Sequence, residues 1–288
     1  MITNASKSPK DILQRVATFV YEHSDFSREN FPTCTNSDEI SRALASSESW
    51  QVLATNQPVA LVKLEIAQTI AAISEICPND DDQLEAIVAT LRNDLRNMKI
   101  TSFTIRLAPK YVQLLDTMGF TNQIPYVRFS RVPTESKMMP ILPLTNATQK
   151  ELPILSQLMY DAYAKTDHSY PNKEAAERSL RTIMSGTQGR YLSDASFASG
   201  ALPNLVSACL LTLDSPGVGR IAQLFTHPLY RARGLATTEI AVGMNRLVRS
   251  GIGKLVLWSQ ESNDVLRRLL TKIDFSLDRE AVEMSARV

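Results

Sequence analysis

The stretch "HPLYRARGLATTEIA", residues 227–241, lies between a strand-like run, "RIAQLF", and an amphipathic helix. The first turn of a helix exposes unpaired N–H groups and a partial positive charge, so it attracts phosphate groups. Gly234 permits close approach of the backbone to a ligand, and Arg231 and Arg233 add positive charge. Ala236 keeps the first helical turn small. The stretch therefore predicts an anion-binding turn, with a solvated surface loop as the alternative.

Two common phosphate-binding motifs do not fit this turn. A P-loop continues from its last glycine into Lys-Ser or Lys-Thr, and the dinucleotide-binding fingerprint requires three glycines. The turn has a single glycine, Gly234, which is followed by leucine and alanine. Neither motif is therefore predicted.

The composition of the chain is that of an ordinary globular protein. It has 288 residues, about twice the usual domain size, which favours two domains. At 44% hydrophobic and 21% charged, it can bury a core in each half. The net charge of +1 lacks the basic excess that general nucleic-acid or membrane-surface binding requires. We therefore expect neither a nucleic-acid nor a membrane partner.

The three cysteines, Cys34, Cys77 and Cys209, are far apart and form no cluster with the three histidines. This pattern argues against a disulfide framework and against a metal site. The N-terminal residues lack the apolar core of a signal peptide. Lys63 and Glu65 interrupt the longest apolar candidate, so no transmembrane helix is expected. The sequence predicts a cytoplasmic protein without a metal.

The two halves of the chain show the same order of predicted elements. Each half begins with two helices and three strands, and closes with helix, strand, helix and a final strand. One strand–helix segment recurs with the same length and with leucines at matching places: Ile100 to Phe120 with Leu114 and Leu115, and Leu255 to Phe275 with Leu269 and Leu270. We interpret this recurrence as an internal duplication.

A boundary between the halves is predicted in residues 131–153, which contain four prolines, polar residues and one short apolar run. The apolar run, "MPILPL", is predicted to be the first strand of the second half. The predicted organisation is a domain at residues 1–132, a linker at 133–139 and a second domain at 140–288.

Two segments of the second half resemble the GCN5-related N-acetyltransferases (GNAT). The run from Arg231 to Ala236, "RARGLA", is similar to their acetyl-CoA signature, Arg/Gln-x-x-Gly-x-Gly/Ala, with Pro228 in the lead-in. The segment "NDVLRRLLTKIDF" is similar to a second family segment, in which an asparagine is followed by a helix and a closing Gly-Phe. Its matching residues are Asn263, Leu269, Lys272 and Phe275. The resemblance covers roughly residues 139–288.

This resemblance implies an α/β (α+β) fold of two GNAT-like domains. Each would have a mixed, mostly antiparallel twisted sheet flanked by helices, with a splayed central strand pair. It also implies that the turn holds the pyrophosphate of coenzyme A, with the pantetheine arm along the preceding strand and acetyl-CoA as co-substrate. The implied coenzyme-binding residues are Leu224, Phe225, Thr226, Arg231, Arg233, Gly234, Leu235, Ala236, Thr237, Thr238 and Asn263.

At the place of the turn, the first half reads "CPNDDDQLEA" and has no glycine. Asp80, Asp81 and Asp82 would repel a pyrophosphate, since two like charges a few ångströms apart cost about 1 kcal/mol even in water. The same acids suit the cap of a helix that begins at Leu84. We therefore expect a degenerate GNAT-like domain that does not bind the coenzyme.

Acetyl transfer from a thioester to an amine needs a neutral amine, donors for the developing oxyanion and a proton for the departing thiolate. A backbone amide near Phe225 or Thr226 is the candidate oxyanion donor. Two residues are candidates for the base that removes the amine proton: Glu261, the nearest carboxylate by sequence, and His227, whose imidazole suits proton transfer near neutral pH. Ser259, Tyr230 or water are candidates for protonating the thiolate.

Three residues depart from the family pattern. Gln223 stands where many relatives place a glutamate, and Leu270 stands at the position of their general-acid tyrosine. Asp274 replaces the glycine before Phe275. A missing general acid typically costs about 10²–10⁴-fold in rate, so the departures leave both an enzyme and a coenzyme-binding protein open.

In relatives the acceptor enters between the first two helices of the domain, where this chain reads "YDAYAKTDHSYPNKE". Carboxylates and aromatic rings suit a cationic amine. The candidate acceptor-binding residues are Tyr160, Tyr163, Asp167 and His168. The alternative is that the two tyrosines lie on a buried helical face and belong to the core.

The function predicted from the sequence is acetyl-CoA-dependent N-acetyl transfer, by direct attack of a primary amine, in the C-terminal domain. The acceptor is expected to be a small-molecule or peptide amine, and a homodimer is one possible assembly. Two alternatives stay open. One is a non-catalytic acyl-CoA-binding or regulatory scaffold protein, and the other is an interaction protein that binds no coenzyme.

Overall fold

The computed structural model describes residues 1–23, 26–27, 30–31, 34–46, 50–54, 58–67, 69–78, 83–166 and 169–288. The chain forms two compact units. The first unit consists of Met1–Phe129, Trp258–Arg267 and Leu277–Val288, and the second of Ser130–Leu257 and Arg268–Ser276. The units are therefore not continuous in sequence, and the division into residues 1–132, 133–139 and 140–288 stays a prediction.

The elements of the first unit follow the predicted order of helices and strands. Four helices of its described residues lie wholly within it: α1 (Lys10–Glu22), α2 (Ser37–Ala45), α3 (Leu84–Asn97) and α4 (Val112–Thr117). Its strands are β1 (Ile2–Asn4), β2 (Trp50–Ala54), β3 (Pro58–Ala67), β4 (Ile70–Pro78), β5 (Ser102–Leu107), most of β6 (Thr121–Arg131) and most of β13 (Ser276–Arg287).

The second unit repeats this order. Its strands are β7 (Leu144–Asn146), β8 (Arg190–Tyr191), β9 (Phe197–Ser199), β10 (Ser207–Ser215), β11 (Val218–Thr226) and the start of β12 (Lys254–Gln260). Its helices are α5 (Leu152–Tyr163), α6 (Lys173–Met184), α7 (Leu235–Arg249) and the end of α8 (Asp264–Lys272). Within the described parts of the chain, no helix is long and apolar enough to cross a membrane.

Both units contain a mixed sheet in which most neighbouring strands are antiparallel, which confirms the predicted fold class. In the first unit, β1 to β4 pair antiparallel in sequence order, β4 pairs parallel with β5, and β13 pairs antiparallel with β5. In the second unit, β7, β9, β10 and β11 pair antiparallel, β8 also pairs with β10, and β11 pairs parallel with β12.

The strand register of the two units shows the same irregularity at the same place. In the first unit, Lys63 faces Glu75 and Leu64 faces Ile73, so Ser74 bulges out of β4. In the second unit, Ala222 bulges out of β11 between two paired neighbours in the same way. A β-bulge re-aims the strand beyond it. The bulge in β11 therefore shapes the strand end that leads to the anion-binding turn.

The turns that follow α4 and α8 are also alike. The Phe120 N–H donates to the Leu115 carbonyl at 3.0 Å, and the Phe275 N–H donates to the Leu270 carbonyl at 2.9 Å. Gly119 and Asp274, the residues before each phenylalanine, are left-handed, with φ of 79° and 59°. Aspartate tolerates this conformation better than most non-glycine residues, so the turn persists without the usual glycine.

We expect Asp274→Gly to raise the free energy of unfolding by about 0.5–1 kcal/mol, because glycine adopts positive φ without a Cβ clash. The exposed Asp274 carboxylate lies 3.7 Å from Arg131, a separation at which an ion pair adds little. Urea unfolding measures the change, and Gly119→Ala should lower stability by a similar amount. Destabilisation by Asp274→Gly would show that the ion pair outweighs the backbone strain.

The core of the second unit lies between the sheet and the pair α5 and α6. Buried apolar side chains from both helices pack against β10 and β11, among them Leu155, Met159, Leu180, Leu210 and Phe225. Helix α7 buries the residues of one face, including Ile240, Met244 and Leu247. This packing fixes α7 and the end of β11 relative to one another, and so positions the turn between them.

One predicted strand is wrong in most of its length. Of the run "MPILPL", only Leu144 lies in a strand, the short β7. Pro140 and Pro143 lack the N–H group that a sheet ladder needs. Instead, the preceding segment is held to α7: the Ser136 N–H donates to Asn245 Oδ1 at 2.7 Å, and Asn245 Nδ2 donates to the Ser136 carbonyl at 2.9 Å.

Candidate functional site

Helix α7 begins at the predicted anion-binding turn. Its first helical hydrogen bond runs from the Thr238 N–H to the Gly234 carbonyl, at 3.0 Å. The N–H groups of Leu235, Ala236 and Thr237 therefore precede the helical ladder, and no described side chain caps this helix. The positive end of α7 is thus open to an anion.

Gly234 shapes the backbone of this turn. Its φ is 79°, a left-handed conformation that side chains other than glycine rarely adopt. A Cβ atom added there would lie 3.1 Å from Ile141 Cδ1, closer than ordinary van der Waals contact. The turn residues from Arg231 to Gly234 are exposed. At Gly234 the turn therefore presents backbone without a side chain.

Arg231 connects the turn to α5 and to the end of β11. Its Nη2 donates to the Ala162 carbonyl at 2.6 Å, and its Nε donates to the Thr226 carbonyl at 3.2 Å. Ala162 lies in the last turn of α5, where backbone carbonyls lack helical partners and favour a cation. The guanidinium therefore ties together α5, the end of β11 and the turn.

Arg233 lies at the exposed rim of the turn. Its Nη2 donates to the Leu229 carbonyl at 3.0 Å, and its guanidinium lies 5.1 Å from the centre of the Tyr230 ring. These contacts orient the side chain while leaving its positive charge exposed. Both arginines thus have structural partners, and the turn is more ordered than a solvated loop.

Strand β11 forms the wall that leads into the turn. Its described pairing with β12 ends at Arg220, although β11 continues to Thr226. With the bulge at Ala222, this confirms the predicted splay of the central strands. Phe225 is buried against α5 and α6, while Leu224 and Thr226 are half-buried. Side chains reach the backbone of this wall: the Leu224 carbonyl accepts from the Tyr163 hydroxyl, and the Thr226 carbonyl accepts from Arg231 Nε.

Tyr163, a predicted acceptor-side residue, reaches this wall from α5. Its hydroxyl lies 3.2 Å from Gln223 Oε1 and 3.3 Å from the Leu224 carbonyl. Its ring packs edge-on against Tyr170, with centroids 6.0 Å apart. Burial raises the pKa of Tyr163, so the hydroxyl stays neutral and can donate. The structure therefore places the Tyr163 hydroxyl against the end of β11 and its ring against Tyr170.

The other acceptor candidates are not gathered around Tyr163. Tyr160, Tyr163 and Tyr170 all pack against the core between α5, α6 and the sheet, as the alternative interpretation predicts for the two helix tyrosines. Asp167 and His168 lie outside the described residues, as do Asp80, Asp81 and Asp82. Tyr170, which does contact Tyr163, donates to Ser179 Oγ at 3.3 Å, and burial raises its pKa. Tyr163 and Tyr170 thus form an aromatic pair against this core, and an acceptor role for Tyr163 stays a prediction.

His227 follows β11 directly. Its Nδ1 accepts a hydrogen bond from the Leu229 N–H at 3.3 Å, and its ring packs edge-on against Tyr230. When Nδ1 of a neutral imidazole accepts, the proton is on Nε2. The other ring nitrogen, Nε2, then carries the proton of the neutral imidazole and can donate a hydrogen bond, whereas it has no lone pair with which to remove a proton from an amine.

The remaining candidates lie in the first unit, within Trp258–Arg267, whereas the turn lies in the second. Ser259 is buried, and its Oγ donates to the Gln260 carbonyl at 3.1 Å. Glu261 is exposed. Asn263 Oδ1 accepts from the Leu266 N–H at 3.1 Å and so caps α8. Asn263 thus has a structural role that is independent of a coenzyme.

Two of the departures from the family pattern have clear structural settings. Leu270 is fully buried, so its position serves packing. Gln223 is the first residue after the bulge in β11, and the matching residue of β4 is Glu75. Glu75 is nearly buried and pairs with Arg279 at 2.7 Å. The carboxylate absent from the second unit is therefore present in the first, neutralised by an arginine.

Sequence reasoning missed a buried polar cluster directly behind the turn. Glu239 of α7 is fully buried, and its carboxyl oxygens lie within hydrogen-bond distance of Ser199 Oγ at 2.6 Å and Ser207 Oγ at 3.0 Å. Burial raises the pKa of Glu239 to about 8. An ionisable residue on the apolar face of a predicted helix was the available signal, since such residues are almost never fully buried without partners.

None of the three cysteines is in a disulfide, and Cys77 and Cys209 are buried while Cys34 is half-buried. Across the ranges that the structure describes, no group of three or more His, Cys, Asp and Glu residues is arranged to hold a metal ion.

Several of the solved structures that match the chain over its length are acetyltransferases by name. A GCN5-related N-acetyltransferase from Sphaerobacter thermophilus matches with a TM-score of 0.64 at 10% identity, covering 100% of this chain and 95% of that chain. The tandem GNAT protein from the clavulanic acid biosynthesis pathway matches with a TM-score of 0.64 at 12% identity, covering 100% and 97%. A GNAT-family acetyltransferase from Colwellia psychrerythraea matches with a TM-score of 0.53 at 8% identity, covering 93% and 96%. No protein-family model matches the sequence, and no curated protein matches it. The chain therefore has the fold of the GCN5-related N-acetyltransferases, in the tandem arrangement that the sequence predicts.

Proposed function

We propose that the chain is an acetyl-CoA-dependent N-acetyltransferase, with the coenzyme bound by the second unit and a primary amine as acceptor. The observation that carries this proposal is the uncapped start of α7 at Gly234, beside the diverging end of β11. A helix N-terminus of this kind binds phosphate groups, and free strand edges bind amide groups.

The residues present fit the coenzyme. Three amides of α7 precede the helical ladder, and Gly234 keeps the turn free of a Cβ. The segment from His227 to Thr238 contains no acidic residue, so no carboxylate opposes an anion there. Leu235, Ala236, Thr237 and Thr238 would hold the pyrophosphate, with Arg233 adding charge at the rim. Leu224, Phe225 and Thr226 would line the pantetheine arm.

The coenzyme supplies an acetyl thioester, and the residues of the chain orient the acceptor and manage protons. Gln223 cannot remove a proton from the amine, and the base stays a prediction, with Glu261 as the sequence candidate. Ser259, Tyr230 or water stay the sequence candidates for protonating the leaving thiolate, and a hydrogen bond from the Nε2–H group of His227 would stabilise its charge. Tyr163 holds Gln223 and the Leu224 carbonyl, and so keeps the wall of the site in place.

We expect Tyr163→Phe to lower kcat/KM for the amine by about tenfold, because a lost hydrogen bond costs about 0.5–1.5 kcal/mol and Gln223 is left without its partner. The KM for acetyl-CoA should change much less. Tyr160→Phe is the matched control, since its ring packs against the same core while its hydroxyl has no hydrogen-bond partner among the described residues, and it should keep wild-type kinetics. Equal losses in both variants would assign Tyr163 to the core alone.

A non-catalytic acyl-CoA-binding protein is the second candidate. It is favoured by Gln223 and Leu270, which replace the groups that many GNAT enzymes use for proton transfer. A cytoplasmic location, a small-molecule or peptide acceptor and a homodimer also remain predictions of the sequence.

The test of the proposed function is thiol release from acetyl-CoA in the presence of a panel of primary amines. The panel includes polyamines, aminoglycosides, amino acids and peptides with free N-termini or lysines. Amine-dependent release supports the enzyme. Saturable acetyl-CoA binding without release for any amine would support the coenzyme-binding alternative, and no binding would overturn both.

A further inference from the structure

A chain of hydrogen-bonding groups runs from the interior of α7 to the wall of the coenzyme site. Ser207 Oγ lies 3.0 Å from Glu239 Oε2 and 2.8 Å from Thr226 Oγ1. Glu239 and Ser207 are fully buried, whereas Thr226 is half-buried. The cluster therefore connects one buried carboxyl to a hydroxyl at the end of β11.

The direction of these hydrogen bonds depends on whether Glu239 carries a proton, because each hydroxyl has one hydrogen to donate. When Glu239 is protonated on Oε2, its Oε1 accepts from Ser199 Oγ, its Oε2–H group donates to Ser207, and Ser207 then donates to Thr226 Oγ1. The hydrogen of Thr226 is left for another acceptor. Ser207 could instead donate to the Phe225 carbonyl, but that oxygen is 3.3 Å from Ser207 Oγ and so lies farther away than Thr226 Oγ1.

Ionisation of Glu239 reverses the donor direction of both hydrogen bonds. The carboxylate is then acceptor-only, so Ser207 donates to it and Thr226 donates to Ser207. Thr226 Oγ1 can no longer donate to a ligand. The same two short contacts thus allow two opposite polarities, and the charge of one buried side chain selects between them.

We propose that Thr226 Oγ1 donates a hydrogen bond to an oxygen of the bound coenzyme, and that the protonated carboxyl of Glu239 sets this donor direction through Ser207. The inference rests on the proposed function, because it needs coenzyme in the second unit. Thr226 is then a binding residue, and Glu239 and Ser207 are positioning residues that act through it. Coenzyme affinity should therefore fall when Glu239 ionises.

Among the described residues around Glu239 that are named here, Glu239 itself is the group whose charge changes near neutral pH. Strand β10 contributes the Cys209 thiol, whose pKa burial and the nearby Glu239 raise well above its ordinary value. Strands β9 and β11 contribute the hydroxyls of Ser199 and Thr226, which do not titrate in this range. Beyond Cys209 lies Tyr191, whose pKa burial also raises.

Charged groups at the start of α7 are common to every variant of the test. Arg231 and Arg233 are exposed in the turn before the helix. His227 follows Thr226 and is bonded to the Leu229 N–H. Any pH effect of these residues persists when Glu239 is replaced, so comparison between variants separates it from the effect of Glu239.

The test is calorimetric titration of the full-length protein with acetyl-CoA between pH 6.5 and 9. We expect the wild-type affinity to fall about fivefold as Glu239 ionises, the effect of one hydrogen bond. In Glu239→Gln the amide donates to Ser207 at every pH, so affinity should stay high without this fall. Thr226→Val should bind about fivefold more weakly at low pH and show no further fall.

Two further variants keep the test decisive. Ser207→Ala breaks the link, so it should also lose the pH dependence if Glu239→Gln does not fold. Ser196→Ala removes a buried serine that does not belong to the hydrogen-bonded series of Glu239, Ser207 and Thr226, and it should keep the wild-type dependence of affinity on pH. A wild-type fall retained in Glu239→Gln or Ser207→Ala, or wild-type affinity of Thr226→Val at low pH, would overturn the inference. No wild-type binding at any pH would instead overturn the proposed function.

Discussion

Replacing Gly234 with aspartate weakens acetyl-CoA binding by at least about 100-fold, because two effects act together at the turn. The left-handed backbone, with φ of 79°, strains any residue with a Cβ by about 1 kcal/mol, and that Cβ meets Ile141 Cδ1 at 3.1 Å. A carboxylate at the start of α7 also repels a pyrophosphate by about 1–4 kcal/mol at the distances of direct contact. Calorimetric titration at neutral pH measures the loss.

The matched control is Gly251→Asp, at the other end of the same helix. Gly251 is also left-handed, with φ of 70°, and an added Cβ meets no atom within 4 Å. The variant therefore carries the same charge and a similar backbone strain without touching the turn. We expect it to bind acetyl-CoA like the wild type, and equal weakening in both variants would show that the loss reflects stability rather than the turn.

Replacing Glu239 with glutamine removes a pH dependence of stability worth about 3–5 kcal/mol. The folded protein raises the pKa of Glu239 from 4.5 to about 8, mainly because the carboxyl is buried. Between these two values the unfolded chain loses the proton while the folded chain keeps it. Stability therefore falls as pH rises, by about 1.4 kcal/mol for each pH unit, and levels off above pH 8.

Urea unfolding without coenzyme, at pH 5, 6.5 and 8, measures this effect. The wild type should lose stability relative to Glu239→Gln at each step, so the variant is the more stable protein at pH 8. Glu280→Gln, at an exposed position of β13, should follow the wild type. Parallel curves for the wild type and Glu239→Gln would show that Glu239 is ionised in the folded protein.

Much of the fold follows from local patterns in the sequence. The helices and strands of both halves lie where apolar periodicity predicts them, because the sheet faces and helix faces that repeat in sequence are the ones that are buried. The matched turns at Phe120 and Phe275 follow from the duplication. The prediction of a strand over "MPILPL" is wrong for a local reason too, since proline lacks the N–H group that strand pairing needs.

The parts of the site that the sequence does not predict depend on long-range contacts. Arg231 meets a carbonyl of Ala162, 69 positions away, and the two structural contacts of the guanidinium follow from the packing of α5 beside the turn. The cluster at Glu239 needs β9, β10 and β11 in register beneath α7. The return of residues 258–267 and 277–288 to the first unit likewise leaves no signal in local composition.

The central claim, that the second unit binds the coenzyme, is tested most directly by the stoichiometry of acetyl-CoA binding to the wild-type chain. Calorimetry should give one site per chain, abolished by the double variant Arg231→Glu/Arg233→Glu. Two sites per chain would contradict the assignment of the first half as non-binding. Absence of binding to the wild type would contradict the account as a whole and leave a shared fold without the coenzyme.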